Sequence, residues 1–292
     1  MTSRTASTAP AVPWQLQSIR FGFRSLGTLM PHLAGYVALH LFSTPQRRLI
    51  SERAKTTMMS AKRVPIPHGK SRLAGYVWGE GPPVLLVHGW ESSASYLAAF
   101  VEPLVAQGFR VVAFDAPAHG ASPGRQTNLI DFSRAVRAAV DQFGPIHGAV
   151  THSFGGASLV TMLELNPTVN LGRLVLVASP ARLSQAIDSF AALVHLPEPV
   201  VDQMHDLIQH RFGRSVDSFD IRRLAASLKM PGLVLHDRQD DVIPFTDAEA
   251  IVKLWPQARL LATDGLGHRR ILRDQPVIQQ VVEFLSHRST TG

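Results

Sequence analysis

Ala149-Val150-Thr151-His152-Ser153-Phe154-Gly155-Gly156 is the stretch on which the reading of this chain turns. The apolar run 146–151 predicts a strand, and the spacing over 154–165 predicts a helix. A serine on a sharp strand-to-helix turn has its hydroxyl lifted above the sheet edge, and small neighbours let the turn close. The amide of Phe154 then stands at a helix N-terminus, where a developing negative charge is stabilised. Alone, the string also reads as an ordinary strand–helix turn, so its surroundings decide.

Val84–His88 (VLLVH) and Arg110–Phe114 (RVVAF) read as short apolar strands upstream, after a strand at Leu73–Trp78 and the turn 79–83. Arg173–Ala178, Gly232–His236 and Arg259–Ala262 read likewise downstream. Helices are predicted at 93–107, 128–143, 246–255 and 276–287, and a further one at 221–228. Short, almost uniformly apolar strands alternating with helices predict an α/β fold with a mostly parallel sheet covered on both faces. The interval from Ala178 to Gly232 breaks the pattern with helical spacing and no strand. Ile187, Phe190 and Val194 mark one helix; Val201, Met204, Leu207 and Ile208 mark another. The segment 181–215 therefore reads as a helical insertion at the sheet edge where ligands bind.

A free serine hydroxyl needs a base to become a nucleophile. With 13 histidines in the chain, proximity to one carries no weight and position carries all of it. His268, in Gly265-Leu266-Gly267-His268, follows the last predicted strand and so shares a sheet edge with Ser153. An imidazole base also needs a carboxylate that fixes its tautomer and stabilises its cation. The loop after the preceding strand offers Asp237, Asp240 and Asp241. Asp237 ends the strand. Asp240, well inside the loop, is preferred, with Asp241 as the fallback.

Serine, aspartate and histidine in this order, each after a strand, give the segment 64–288 a pattern that resembles the α/β-hydrolase family, with its nucleophile elbow and catalytic triad. The resemblance implies an eight-stranded-type sheet, a serine esterase chemistry, and further site residues. Val87-His88-Gly89-Trp90 is similar to the family's loop after the third strand, which implies an oxyanion hole made by the amides of Trp90 and Phe154. The stretch Phe114–Ser122 is similar to the turn after the fourth strand, with Asp115, His119 and Ser122 as turn-stabilising residues. The inserted 181–215 segment corresponds to the cap domain, and Phe190, Val194 and Met204 become candidate pocket residues. Three departures narrow the choice. Ser153 replaces the aspartate nucleophile of haloalkane dehalogenases and epoxide hydrolases. The Gly-Gly-Gly oxyanion loop of one lipase and esterase group is absent. Thr151 stands where the elbow usually has glycine, and its side chain needs room. His152 is expected to be buried and structural.

The expected function is hydrolysis of a small-molecule carboxylic ester with a hydrophobic portion, through an acyl-enzyme, with no metal and no organic cofactor. The alternatives are a carbon–carbon bond hydrolase or lyase using the same three residues, or a catalytically silent binding protein of this fold.

Composition bounds the rest. The 292 residues contain no cysteine, which excludes disulfides, thiolate-bound metals and thiol nucleophiles. The net charge of +7 is uneven: residues 1–72 carry +10 and the remainder −3. Basicity thus belongs to an N-terminal extension, 1–63, with a Ser/Thr/Pro-rich start at 1–13, a short helix at 31–43 and a basic helix at 47–61. These helices read either as packing against the main domain or as a peripheral membrane contact within 14–63, with Arg47, Arg48 and Arg53 near lipid phosphates. The extension has neither a helix-turn-helix pattern nor an aromatic-basic platform, so nucleic acid is not an expected partner. No apolar run is long enough to span a bilayer, and a cytoplasmic protein, with that peripheral contact as the variant, is expected. Nothing in the sequence sets an oligomeric state.

Overall fold

The computed structural model describes residues 13–48 and 50–287. Its strands are β1 (Lys62–Arg63), β2 (Ile66–His68), β3 (Ser71–Leu73), β4 (Gly75–Trp78), β5 (Pro83–Val87), β6 (Arg110–Phe114), β7 (Gly148–His152), β8 (Leu174–Val177), β9 (Gly232–Asp237) and β10 (Ala258–Thr263). Its α-helices are α1 (Trp14–Leu29), α2 (Pro31–Phe42), α3 (Glu52–Met59), α4 (Val101–Ala106), α5 (Leu129–Phe143), α6 (Phe154–Leu165), α7 (Ser184–Val194), α8 (Glu198–Phe212), α9 (Ile221–Ala225), α10 (Phe245–Leu254), α11 (Gly267–Arg270) and α12 (Gln275–Ser286).

The chain forms two compact units. One comprises Ser43–Leu183 and Asp217–Gly292; the other joins the residues up to Phe42 with Ser184–Val216. The larger unit holds an eight-stranded sheet in the order β1-β4-β6-β5-β7-β8-β9-β10. Only the β1–β4 and β4–β6 pairings are antiparallel. All five residues of β5 and of β7 are buried, as strands covered on both faces require. One face carries Phe132 of α5, Leu159 of α6, Leu224 of α9 and Ile251 of α10. The other carries Met58 of α3, Leu97, Leu104 of α4, and Val281 and Leu285 of α12. The C-terminal ends of β5, β7, β9 and β10 therefore open on one edge, where parallel sheets hold their ligands.

The smaller unit is helical. Arg20 Nε on α1 donates to the Leu193 carbonyl of α7 at 3.0 Å. A Cβ on Gly27 would meet Pro197 and Val200, and one on Gly35 would meet Gln203 Cβ at 2.7 Å, so glycines set the close approach of α1 and α2 to α8.

Three local readings differ from the sequence expectation. The single strand expected at 73–78 is split at Ala74: β3 pairs with β2 in a separate two-stranded ribbon, and β4 joins the main sheet. The helix expected at 47–61 begins only at Glu52: upstream, the Ser43 carbonyl accepts from Thr127 N and the Arg47 side chain is committed to the carbonyls of His119, Gly120, Ser122 and Gly124. Helix α1 was not assigned from the sequence. The Ser/Thr/Pro-rich start lies outside the described residues up to Val12.

Candidate active site

Ser153 follows β7 directly and caps α6, with φ 52° and ψ −124°. A non-glycine residue in that region is strained and must be held by its surroundings. Its amide donates to the Val177 carbonyl of β8 at 2.9 Å, and its carbonyl accepts from Gly156 N at 2.9 Å. A Cβ at Gly155 would overlap the carbonyl oxygens of Val87 and His88, and one at Gly156 would overlap Ser179 Oγ. The turn therefore closes only with glycine at both positions. Thr151 is fully buried, and its hydroxyl donates to the Val175 carbonyl at 3.0 Å. The room that this side chain needs is present, and its polar atom is satisfied.

His152 is buried, and its Nε2 donates to the His268 carbonyl at 2.9 Å. Burial, then the neighbouring His268 ring, pushes its pKa down to about 3. A ring neutral well below physiological pH thus ties the serine turn to the loop bearing His268. That loop is anchored a second time by Asp237. Its carboxylate accepts from Thr263 Oγ1 at 2.7 Å, Leu266 N at 2.9 Å and Gln239 N at 3.0 Å. Burial opposes ionisation of Asp237, but these donors outweigh it and hold the carboxyl below the ordinary aspartate value.

His268 Nδ1 lies 2.8 Å from Asp240 Oδ2. The Asp240 side chain is inaccessible to solvent. Its other oxygen accepts from the amides of Val242 and Ile243 at 2.8 and 2.9 Å. Burial raises the cost of its charge, yet the His268 bond and the two amides more than compensate, so its pKa lies below the usual value. His236 Nε2 donates to the Ile243 carbonyl at 2.9 Å and packs under the same loop. Asp241 is exposed. Of the three aspartates, only Asp240 has a direct hydrogen bond to His268 among the described interactions, while Asp237 serves as the loop anchor.

The loop after β5 brings Gly89 against the serine turn: a Cβ there would lie 3.0 Å from Ser153 Cβ and 3.1 Å from the His152 carbonyl. Trp90 follows, its ring edge-on to Phe154 at 5.3 Å and to His119 at 5.2 Å. Two neutral imidazoles hold this loop. His88 accepts from Ala116 N at 2.9 Å and donates to the Gly89 carbonyl at 2.7 Å; burial lowers its pKa to about 4. His119 accepts from Glu91 N at 3.1 Å and donates to the Pro117 carbonyl at 2.9 Å; burial, then His88, lowers its pKa to about 3. Asp115 accepts from Ala94 N and Ala121 N, both at 2.8 Å, and Ser122 Oγ joins the Asp115 carbonyl to Ala74 N.

Sequence reasoning missed the residues that strap these loops from outside. The Arg47 guanidinium donates to the carbonyls of His119, Gly120, Ser122 and Gly124. Arg48 pairs with Glu91 at 3.3 Å, and Gln46 N reaches the other Glu91 oxygen at 3.3 Å. Glu91 itself has φ 49°. No signal in the sequence connects Arg47 with residues so distant; its neighbours only mark it as one cation in a basic stretch.

A family profile described as the alpha/beta hydrolase family matches residues 84–280. The chain belongs to the alpha/beta hydrolase family. It is 37% identical over 117 residues to a human protein named serine hydrolase-like protein 2, a match spanning 37% of this chain and 35% of that one. It is 21% identical over 252 residues to an AB hydrolase superfamily protein of Bacillus subtilis, covering 72% of this chain and 93% of the relative. Among solved structures, an esterase from Pyrococcus furiosus superposes with a TM-score of 0.63 at 21% identity, covering 83% and 98% of the two chains. An esterase from Exiguobacterium antarcticum gives 0.61 at 17%, covering 77% and 100%. At these identities the superpositions show the fold.

In this alpha/beta hydrolase, Ser153, Trp90, Phe154, Asp240 and His268 all belong to the larger unit and follow the C-terminal ends of β5, β7, β9 and β10. Phe190, Val194 and Met204 belong to the helical unit. Val194 and Met204 are buried, and the Phe190 ring lies 5.4 Å from that of Phe42.

Proposed function

We propose that the protein is a serine hydrolase that cleaves a carboxylic ester with a hydrophobic portion through an acyl-enzyme. One observation carries this reading: the buried 2.8 Å bond between His268 Nδ1 and Asp240, on the sheet edge where Ser153 tops a left-handed turn. With Nδ1–H donated to the carboxylate, Nε2 of His268 keeps its lone pair and can serve as base. Ser153 Oγ attacks the ester carbonyl as His268 takes its proton, and Asp240 stabilises the imidazolium. The amides of Trp90 and Phe154 receive the oxyanion, the second with the help of the α6 dipole. His268 then protonates the leaving alcohol and activates water, which releases the acid.

A fluorophosphonate probe tests the mechanism. The wild-type protein should be labelled once, and Ser153→Ala should not be labelled at all. Folded wild-type protein that stays unlabelled would overturn the reading. A panel of esters set against vinylogous diketones separates ester from carbon–carbon bond cleavage, and the esters should be the substrates.

A further inference from the structure

Helix α2 is built the reverse of an ordinary surface helix. Its buried positions are small: Ala34, Gly35 and Ala38. Its large apolar residues Leu33, Tyr36, Val37 and Leu41 are exposed, at the i, i+3, i+4, i+8 spacing of one helical face. Leu29 and Met30, at the junction just before α2, are 81% and 53% exposed. On α1, Trp14 and Phe21 are 72% and 74% exposed and lie seven residues, about two turns, apart. A run of exposed large apolar groups of this extent marks a contact surface, since singly scattered ones are the norm on soluble proteins.

We infer that this α1–α2 face docks in the plane of an anionic lipid surface. Three features select lipid over a second protein. The two helices, from Trp14 to Phe42, include Arg20 and Arg24 and no acid, so the strip complements negative headgroups. Trp14 and Tyr36 are the amphipathic aromatics that favour the headgroup level. No described helix is long and apolar enough to cross a membrane, which leaves an in-plane contact as the mode available to these helices. The buried small residues have a purpose in this arrangement: they let α2 sit close on α8 while its large residues point outward. The inference stands independently of the hydrolase chemistry.

The test is flotation of the full-length protein with vesicles of phosphatidylglycerol and phosphatidylcholine, and with phosphatidylcholine alone. Binding should be strong to the first and weakened by salt. The triple variant L33S/Y36S/V37S, altered only at exposed positions, should keep its helical circular dichroism and ester turnover and lose at least about tenfold in vesicle partitioning. A second readout needs no surface variant: acyl-brominated lipid should quench a tryptophan signal that is absent in Trp14→Phe. Absence of wild-type flotation, or equal flotation by the triple variant, overturns the inference. So does a wild-type dimer in sedimentation that the triple variant dissolves without any vesicle binding, since the face then meets a second copy.

Discussion

A left-handed backbone at a serine is tolerated only where the neighbouring groups insist on it. Around Ser153 those groups are the Val177 carbonyl, which takes its amide, and the carbonyls of Val87 and His88, which leave Gly155 no room for a side chain. Strain at the nucleophile and neutrality of its neighbour His152 are thus two results of the same crowding. The aspartates illustrate how residues adjacent in sequence separate in role. Asp240→Asn should keep the fold and lower kcat by roughly 10⁴, because an amide facing Nδ1 favours the wrong imidazole tautomer. Asp241→Asn, at an exposed position, should stay within about twofold of wild type. Steady-state kinetics on a model ester checks both, and an active Asp240→Asn would remove Asp240 from the mechanism. Asp237 acts through the loop, so Asp237→Ala should cost about 2 kcal/mol of stability in urea denaturation. Because its native pKa is depressed, that contribution is present above the unfolded aspartate value and is lost as pH falls through the native one.

At the scale of elements, the strap Ser43–Arg48 shows why helical spacing fails as a guide to residues 47–51. A planar guanidinium that satisfies four loop carbonyls gains more than the first turn of a basic helix would. Arg47→Ala should lower kcat about tenfold through a loosened Trp90 loop, with KM little changed. Arg47→Lys should rescue poorly, since an ammonium cannot span the same carbonyls. Added guanidinium should restore part of the loss, and unchanged kcat in Arg47→Ala would show that the strap is packing alone. The central strands β5 to β9 and helices α5, α6, α10 and α12 were legible because their apolar spacing coincides with burial on both sheet faces. The break at Ala74 was not, because its cause is remote: Ala74 N meets Ser122 Oγ, and the Ala74 carbonyl takes the amide of Asp115. Helix α2 was legible from the spacing of Leu33, Val37 and Leu41, although those residues face outward, and helix α1 was not assigned.

For the molecule as a whole, the buried histidines govern how stability responds to acid. His88, His119 and His152 stay neutral in the native state, with pKa values of about 4, 3 and 3. An unfolded chain protonates the same rings near pH 6.5. Their contribution is therefore fully present above about pH 6.5 and is lost as pH falls toward 4, because the unfolded state binds the extra protons. Each ring adds up to about 1.4 kcal/mol per pH unit to the slope in that window. Asp115, whose carboxyl burial pushes upward, works in the opposite sense at the acid end, since the native state then takes its proton first. Urea unfolding between pH 7.5 and 5 should show a steep fall in stability. His119→Gln should flatten it by about one proton, because a glutamine carbonyl can still accept the Glu91 amide without titrating. An identical slope in that variant would mean that His119 is protonated in the native state, and its hydrogen bond from Glu91 N could then not exist.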